Sequence, residues 1–173
     1  MHKVFLGIGG NIGDREKNFV RCIELIEKRL GKIILLSPVY ETPPWGFSSE
    51  NNFWNRVICC ETNFEPKALL KEIHKIETLF GRDRKNDGYN AREMDIDILY
   101  FDDIIIKSNS LVIPHPLIHE RLFVLKPLAD IAPDVIHPVL QKNSLQMLES
   151  CKDTSVINKV NLEQTINSAK AEY

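Results

Sequence analysis

Hydrophobic and polar positions along the chain switch between two periods. KVFLGIG (3–9) is a short apolar run that predicts a buried strand. Asp14 then offers an N-cap, and Phe19, Cys22, Ile23, Ile26 and Leu30 follow at helical spacing, with Gly31 as the stop. KIILLSPVYET (32–42) is rich in β-branched residues and extended, and Pro43-Pro44 ends it. A polar loop runs to about residue 52, and FWNRVICCET (53–62) reads as a third strand with a polar position at Asn55. Pro66 suits the first turn of a second helix, whose buried stripe is Leu69, Ile73, Ile76 and Phe80, ending at Gly81. A second polar loop, RDRKNDGYNA (82–91), leads into REMDIDILYF (92–101), a fourth strand.

The order β-α-β-β-α-β predicts an α+β fold. The expected form is an antiparallel sheet with helices on one face, a ferredoxin-like sandwich in topology. Residues 1–140 would form the domain, with LVIPHPLIHERLFVLKPLADIAPD (111–134) packing an apolar segment around its prolines. From about residue 141 the sequence turns polar and helix-prone without a strong stripe. It is expected to be a peripheral tail of the same single domain.

Composition narrows the function classes. With 173 residues the chain suits one domain with a sizeable core. Lys and Arg number 22 against 24 Asp and Glu, which excludes the overall basic footprint of a nucleic-acid binder. No apolar run approaches the roughly 18–20 residues of a membrane span, and the N-terminus lacks a long signal-peptide core. Cys22, Cys59, Cys60 and Cys151 show no CxxC spacing, so they read as reduced structural thiols of a cytoplasmic protein.

The fourth strand carries an apparent contradiction. Met94, Ile96 and Ile98 would hold one face in the core. Asp95 and Asp97 share the other face, with Leu99 and Phe101 continuing it inward. Two like charges on a half-buried surface repel each other and lose hydration. Paired hard carboxylates suit Mg²⁺, and a shared pair can bridge two ions that clamp a transferring phosphate. A polar strand end paired to arginine is the structural alternative, and a DxD sugar-nucleotide transferase a functional one. The preceding loop supplies Arg82, Arg84, Lys85 and Arg92 within eleven residues. Guanidinium binds phosphate bidentately and stays charged, so this looks like a polyphosphate site, although salt bridges to Asp83, Asp87 and Glu93 would use the same groups.

GIGGNIG (7–13) fails the dinucleotide fingerprint because Ile12 stands where GxGxxG needs glycine, and there is no P-loop. A tight strand-to-helix turn is the simpler explanation of its glycines. Phe53 and Asn55 share one strand face, an aromatic beside an amide, which would cradle a flat heterocycle by stacking and edge hydrogen bonds. His115, in IPHP, is either structural or a phosphate contact.

YETPPWG, FWNRV, GRDR, REMDIDILYF and IPHPLIHERLFVLKPLADIAPD, in this order, resemble the 6-hydroxymethyl-7,8-dihydropterin pyrophosphokinases of folate biosynthesis, from about residue 3 to about 138. The resemblance implies a ferredoxin-like fold and transfer of pyrophosphate from ATP to the pterin hydroxymethyl group, releasing AMP. It implies two Mg²⁺ held by Asp95 and Asp97, with Arg82 and Arg92 also catalytic. Thr42, Pro43, Trp45, Phe53, Asn55 and Phe123 would form the pterin site, the two phenylalanines sandwiching the ring. His74, Glu77, Arg82, Arg84, Arg92, Ile98, His115 and Arg121 would line the ATP site. Gly10 stands where the family often has Ser, Tyr89 where Trp is common, and Trp45 where Leu is common. The expected partners are the two small-molecule substrates alone, with no nucleic acid or membrane, and the expected state is a monomer. Loops 43–52 and 82–93 are expected to close over bound ATP.

Overall fold

The computed structural model describes residues 1–46, 48–81 and 93–161. β1 (His2–Gly10), α1 (Arg15–Arg29), β2 (Lys32–Leu36), β3 (Val39–Thr42), β4 (Phe53–Thr62), α2 (Pro66–Thr78) and β5 (Asp95–Phe101) follow in order. After them come β6 (Ile106–Lys107), β7 (Val112–Ile113), α3 (Leu122–Ile131), α4 (Ser144–Glu149) and β8 (Asn158–Val160). The main sheet runs β5-β1-β4-β3-β8, with β2 also paired to β4, and every pairing in it is antiparallel. A small β6-β7 ribbon stands apart.

The expected elements form where the periodicity places them. Asp14 caps α1 by accepting the Lys17 N–H, and Phe19, Cys22 and Ile26 are buried on one stripe. Pro66 opens α2, which buries Leu69, Ile73 and Ile76. These stripes meet Val4, Leu6, Ile8, Ile58, Ile96 and Ile98 in one core. The strands are apolar on both faces, however, and the second face is covered as well. Phe5, Val57, Cys59, Leu99 and Tyr100 pack against Ile118, Val124, Leu125 and Leu128 of the 111–134 segment. Helices therefore lie on both faces, not one.

Three local features depart from the simple alternation. The run 32–42 is two strands. Ser37 donates its N–H to the Val57 carbonyl (3.0 Å) and accepts the Val57 N–H on Oγ (3.0 Å), and Pro38 has no N–H to continue the ladder. In β5, Phe5 faces Tyr100 but Leu6 faces Ile98, so Leu99 is the extra residue of a bulge. That turns Phe101 to the α1–α2 core and leaves Leu99 and Tyr100 in the other, correcting the shared face expected for Leu99 and Phe101. The segment after 140 is also integrated in its described part. Met147 of α4 is 1 % exposed within the second core, and β8 pairs with β3.

Gly31 joins α1 to β2 at φ +149°, and a Cβ there would lie 1.9 Å from the Glu61 carbonyl oxygen. Backbone, not a movable side chain, occupies that space. Gly31→Ala should therefore cost about 3 kcal/mol in urea unfolding; a loss below ~1 kcal/mol would show that the turn relaxes freely.

Candidate active site

The site begins with what β1 lacks. β1 lies between β4 and β5, and its register sets Gly9 opposite Asn55 on one side and Asp95 on the other. Gly7 likewise lies between Val57 and Asp97. A Cβ on Gly9 would sit 2.7 Å from Asn55 Oδ1, and one on Gly7 would sit 3.4 Å from Leu99 Cδ2. Both glycines point away from the α1–α2 core, so the backbone itself floors a cavity of about 250 Å³. The glycines assigned above to a strand-to-helix turn are thus mostly strand; Gly13, at φ +73°, serves the turn.

On one wall, Asn55 donates from Nδ2 to Thr42 Oγ1 (2.9 Å), and both residues are buried. This bond fixes the amide plane and leaves Oδ1 and the second N–H for the cavity. Phe53 on β4 and Phe123 at the start of α3 line the same space with Pro43. The Arg121 guanidinium, 7 % exposed, lies 4.7 Å from the Trp45 ring centroid and 5.6 Å from that of Phe123. Two π faces therefore hold one buried cation. The far half of the 43–52 loop is tied down separately. Asn11 Nδ2 donates to Ser49 Oγ and the Asn51 carbonyl, and Arg15 donates to the Asn52 carbonyl and to Glu41. Glu41 also accepts from Trp54 Nε1, and these bonds hold its carboxyl below the ordinary range.

On the other wall stand Asp95, Asp97 and His115. The bulge at Leu99 has a direct use, because the Leu99 carbonyl accepts the His115 N–H (3.0 Å). His115 Nδ1 accepts from the Leu117 N–H (3.2 Å), which leaves Nε2 to carry the ring hydrogen. Burial, helped by the nearby Arg121 charge and opposed by Asp95, lowers its pKa to about 4. At neutral pH His115 is therefore a neutral donor. Asp95 and Asp97 form an all-oxygen donor pair above a floor without side chains. Among the described residues no group of three or more His, Cys, Asp and Glu gathers to hold a metal. A cation here would complete its shell with water and substrate oxygens, which is the habit of Mg²⁺.

The cavity thus brings together Thr42, Pro43, Trp45, Phe53, Asn55, Asp95, Asp97, His115, Arg121 and Phe123, from five segments of chain. His74, Glu77 and Ile98 do not line it. Glu77, 1 % exposed, accepts the Ile96 N–H (3.0 Å) from the α2 side of β5, and Ile98 belongs to the α1–α2 core. His74 lies on α2. Arg82, Arg84, Lys85, Tyr89 and Arg92 lie outside the described residues. Gly7, Gly9 and Leu99 were missed by the sequence reading. Two glycines two apart within an apolar strand were the available signal.

Comparison with known proteins gives a consistent family. A family model described as 7,8-dihydro-6-hydroxymethylpterin-pyrophosphokinase matches residues 5–133. The chain is 41% identical over 142 residues to a 2-amino-4-hydroxy-6-hydroxymethyldihydropteridine pyrophosphokinase of Aquifex aeolicus, covering 82% of this chain and 88% of the relative. It is 38% identical over 138 residues to the protein of that name from Porphyromonas gingivalis, covering 78% and 93%. Among solved structures, Plasmodium falciparum HPPK-DHPS aligns at a TM-score of 0.68 with 20% identity, which speaks for the fold alone. That match covers 87% of this chain but 43% of the Plasmodium chain, so the present chain spans under half of it.

His115 gives a pH prediction. Its folded pKa, about 4, lies below the ordinary 6.5, so the unfolded chain takes up this proton first as pH falls. Its contribution to stability is complete above 6.5 and is lost as the pH falls through about 4. Denaturant unfolding of metal-free protein across that window should show a shallower pH slope for His115→Gln than for the unsubstituted chain. Parallel slopes would contradict the neutral, buried imidazole.

Proposed function

The chain belongs to the 7,8-dihydro-6-hydroxymethylpterin-pyrophosphokinase family, and from that premise we propose that its cavity transfers pyrophosphate from ATP to 6-hydroxymethyl-7,8-dihydropterin, as a step in folate synthesis. One observation carries this reading. The glycine floor of β1 is flanked by an aromatic and amide wall on one side and a carboxylate pair on the other. A flat heterocycle on Gly7 and Gly9 would have Phe53 and Phe123 for its faces and the Asn55–Thr42 pair for its polar edge. Its hydroxymethyl arm would then extend toward Asp95 and Asp97.

In the reaction, the pterin hydroxyl oxygen attacks the β-phosphorus of ATP. A new P–O bond forms, the bond to the α–β bridging oxygen breaks, AMP leaves, and the hydroxyl proton is released. Asp95 and Asp97 would hold Mg²⁺, two ions on our reading, which when bound neutralises phosphate charge and aligns the reacting groups. His115 offers a neutral N–H, and Arg121 a fixed positive charge, to phosphate oxygens near them. Arg82, Arg84 and Arg92 would add charge along the polyphosphate, whereas Glu77 and Ile98, buried on the α2 side of β5, would support the nucleotide side through that strand, and His74 from α2. The apolar surfaces of Phe53, Phe123 and Pro43 would limit competition from water around the ring. The chain-wide reading is a ferredoxin-like sheet, supported by the antiparallel order β5-β1-β4-β3, acting as a monomer. Four free cysteines are in keeping with a cytoplasmic setting.

Incubation with ATP, Mg²⁺ and 6-hydroxymethyl-7,8-dihydropterin should yield AMP and the pterin diphosphate in equal amounts. ADP in place of AMP, or AMP formed without pterin, would overturn the proposal. Asp97→Ala should abolish Mg²⁺-dependent turnover while circular dichroism stays unchanged; near-normal AMP release would remove Asp97 from the metal site. Gly9→Ala should raise the pterin KM by about tenfold or more by displacing the Asn55 amide, with a smaller effect on the ATP KM. Equal rises in both would argue against a pterin floor.

A further inference from the structure

The distance between the two faces of the proposed pterin slot depends on how α3 sits over the sheet. Phe123 is the second residue of α3, while Phe53, Asn55 and Thr42 belong to β4 and β3. α3 has an internal weakness. Pro127 lies inside it and has no N–H to give to the Phe123 carbonyl, so the turn bearing Phe123 lacks that tie to the rest of the helix.

A group outside the cavity spans this weakness. Tyr40, 6 % exposed, lies on β3 directly opposite Asn55 and two residues from Thr42 on the same face. Its phenol donates to Asp130 Oδ2 (2.5 Å) in the last turn of α3. The other carboxylate oxygen of Asp130 accepts from the Lys126 ammonium, one helical turn back and on the Phe123 side of Pro127. That ammonium also lies 5.4 Å from the Tyr40 ring centroid. The three side chains thus join both halves of α3 to the strand residue that faces Asn55. Burial first, and then the bond to Asp130, raises the Tyr40 pKa, so the phenol stays protonated and donating at physiological pH. At the other end, the Leu122 N–H donates to Asp153 Oδ2 (3.0 Å).

We propose that Tyr40, Asp130 and Lys126 are positioning residues that brace α3 across Pro127 and so set the Phe123-to-Asn55 gap into which the pterin fits. The proposal rests on the pterin reading of the cavity. None of the three touches the reacting atoms, and their effect falls on the ring subsite, not on the polyphosphate side at Asp95 and Asp97.

The test uses the full chain and isothermal titration calorimetry, with 6-hydroxymethylpterin titrated in the presence of Mg²⁺ and a non-hydrolysable ATP analogue. Tyr40→Phe and Lys126→Met should each weaken pterin binding by about five- to tenfold, and the analogue alone by less than about twofold. Lys126→Arg, which keeps the ammonium's role with another cation, should restore most of the pterin affinity. Lys75→Met removes an exposed helix ion pair with Glu72 away from α3, so it separates general destabilisation from positioning. It should leave pterin binding unchanged. Asn55→Ala tests the underlying reading. If Asn55→Ala weakens pterin binding while Tyr40→Phe and Lys126→Met do not, the brace is refuted and the pterin reading stands. Loss of pterin and analogue affinity in equal measure also refutes the brace. If Asn55→Ala leaves pterin binding unaltered, the pterin reading falls and takes the brace with it.

Discussion

Register between β1 and its two neighbours governs everything built on this sheet. β1 is paired along its whole length with β4 on one side and from Val4 to Gly9 with β5 on the other. Leu6 and Ile8 face the α1–α2 core, and Gly7 and Gly9 face the cavity. A slip of one residue would exchange the two sets. Apolar side chains would fill the cavity, and glycines would leave voids under α1 and α2. The α1–α2 packing that stabilises the fold therefore also holds the floor open. Val4, Leu6 and Ile8 are each at most 2 % exposed, so the register is locked by fully buried side chains.

The second face shows how irregularity is put to use. A regular β5 would place Tyr100 in one core and Leu99 with Phe101 in the other. The bulge at Leu99 breaks that alternation and turns a carbonyl to the His115 N–H. The polar segment around His115 is thereby attached to the strand that carries Asp95 and Asp97. The break at Ser37–Pro38 acts similarly on the other side of the sheet. It ends β2 and restarts pairing as β3, whose Tyr40 and Thr42 serve α3 and Asn55. Both devices join functional groups to a strand, the bulge through a backbone carbonyl that a regular ladder would have used up, and the Ser37–Pro38 break through the side chains of Tyr40 and Thr42.

Legibility in the sequence follows from how local each feature is. The α1 and α2 stripes and the shared face of Asp95 and Asp97 need only a period, so the chain shows them directly. The pairing of Phe53 with Asn55 was visible for the same reason. That the two faces meet was not, because it depends on β1 lying between them. The bulge, the broken strand and the second helical layer all arise from tertiary contacts. β8 is a three-residue polar strand, NKV, whose only marker is its partner. Trp45 was legible as an aromatic but not as the ring under Arg121, since a cation–π contact between distant segments leaves no spacing to read. Glu77 illustrates a different limit. Helical spacing puts it next to Ile76, and only the fold reveals a carboxylate buried against the Ile96 N–H.

The glycine floor has a consequence for inhibition. A ligand lying on Gly7 and Gly9 rests on main chain, which mutation cannot trim. Substitution there can only add atoms, and the first added atom at Gly9 collides with Asn55. Most binding sites can escape an inhibitor by shortening a contacting side chain. This surface has none to shorten, so a compound that draws its affinity from the floor and the Asn55–Thr42 edge leaves the protein few routes to resistance that spare its own substrate.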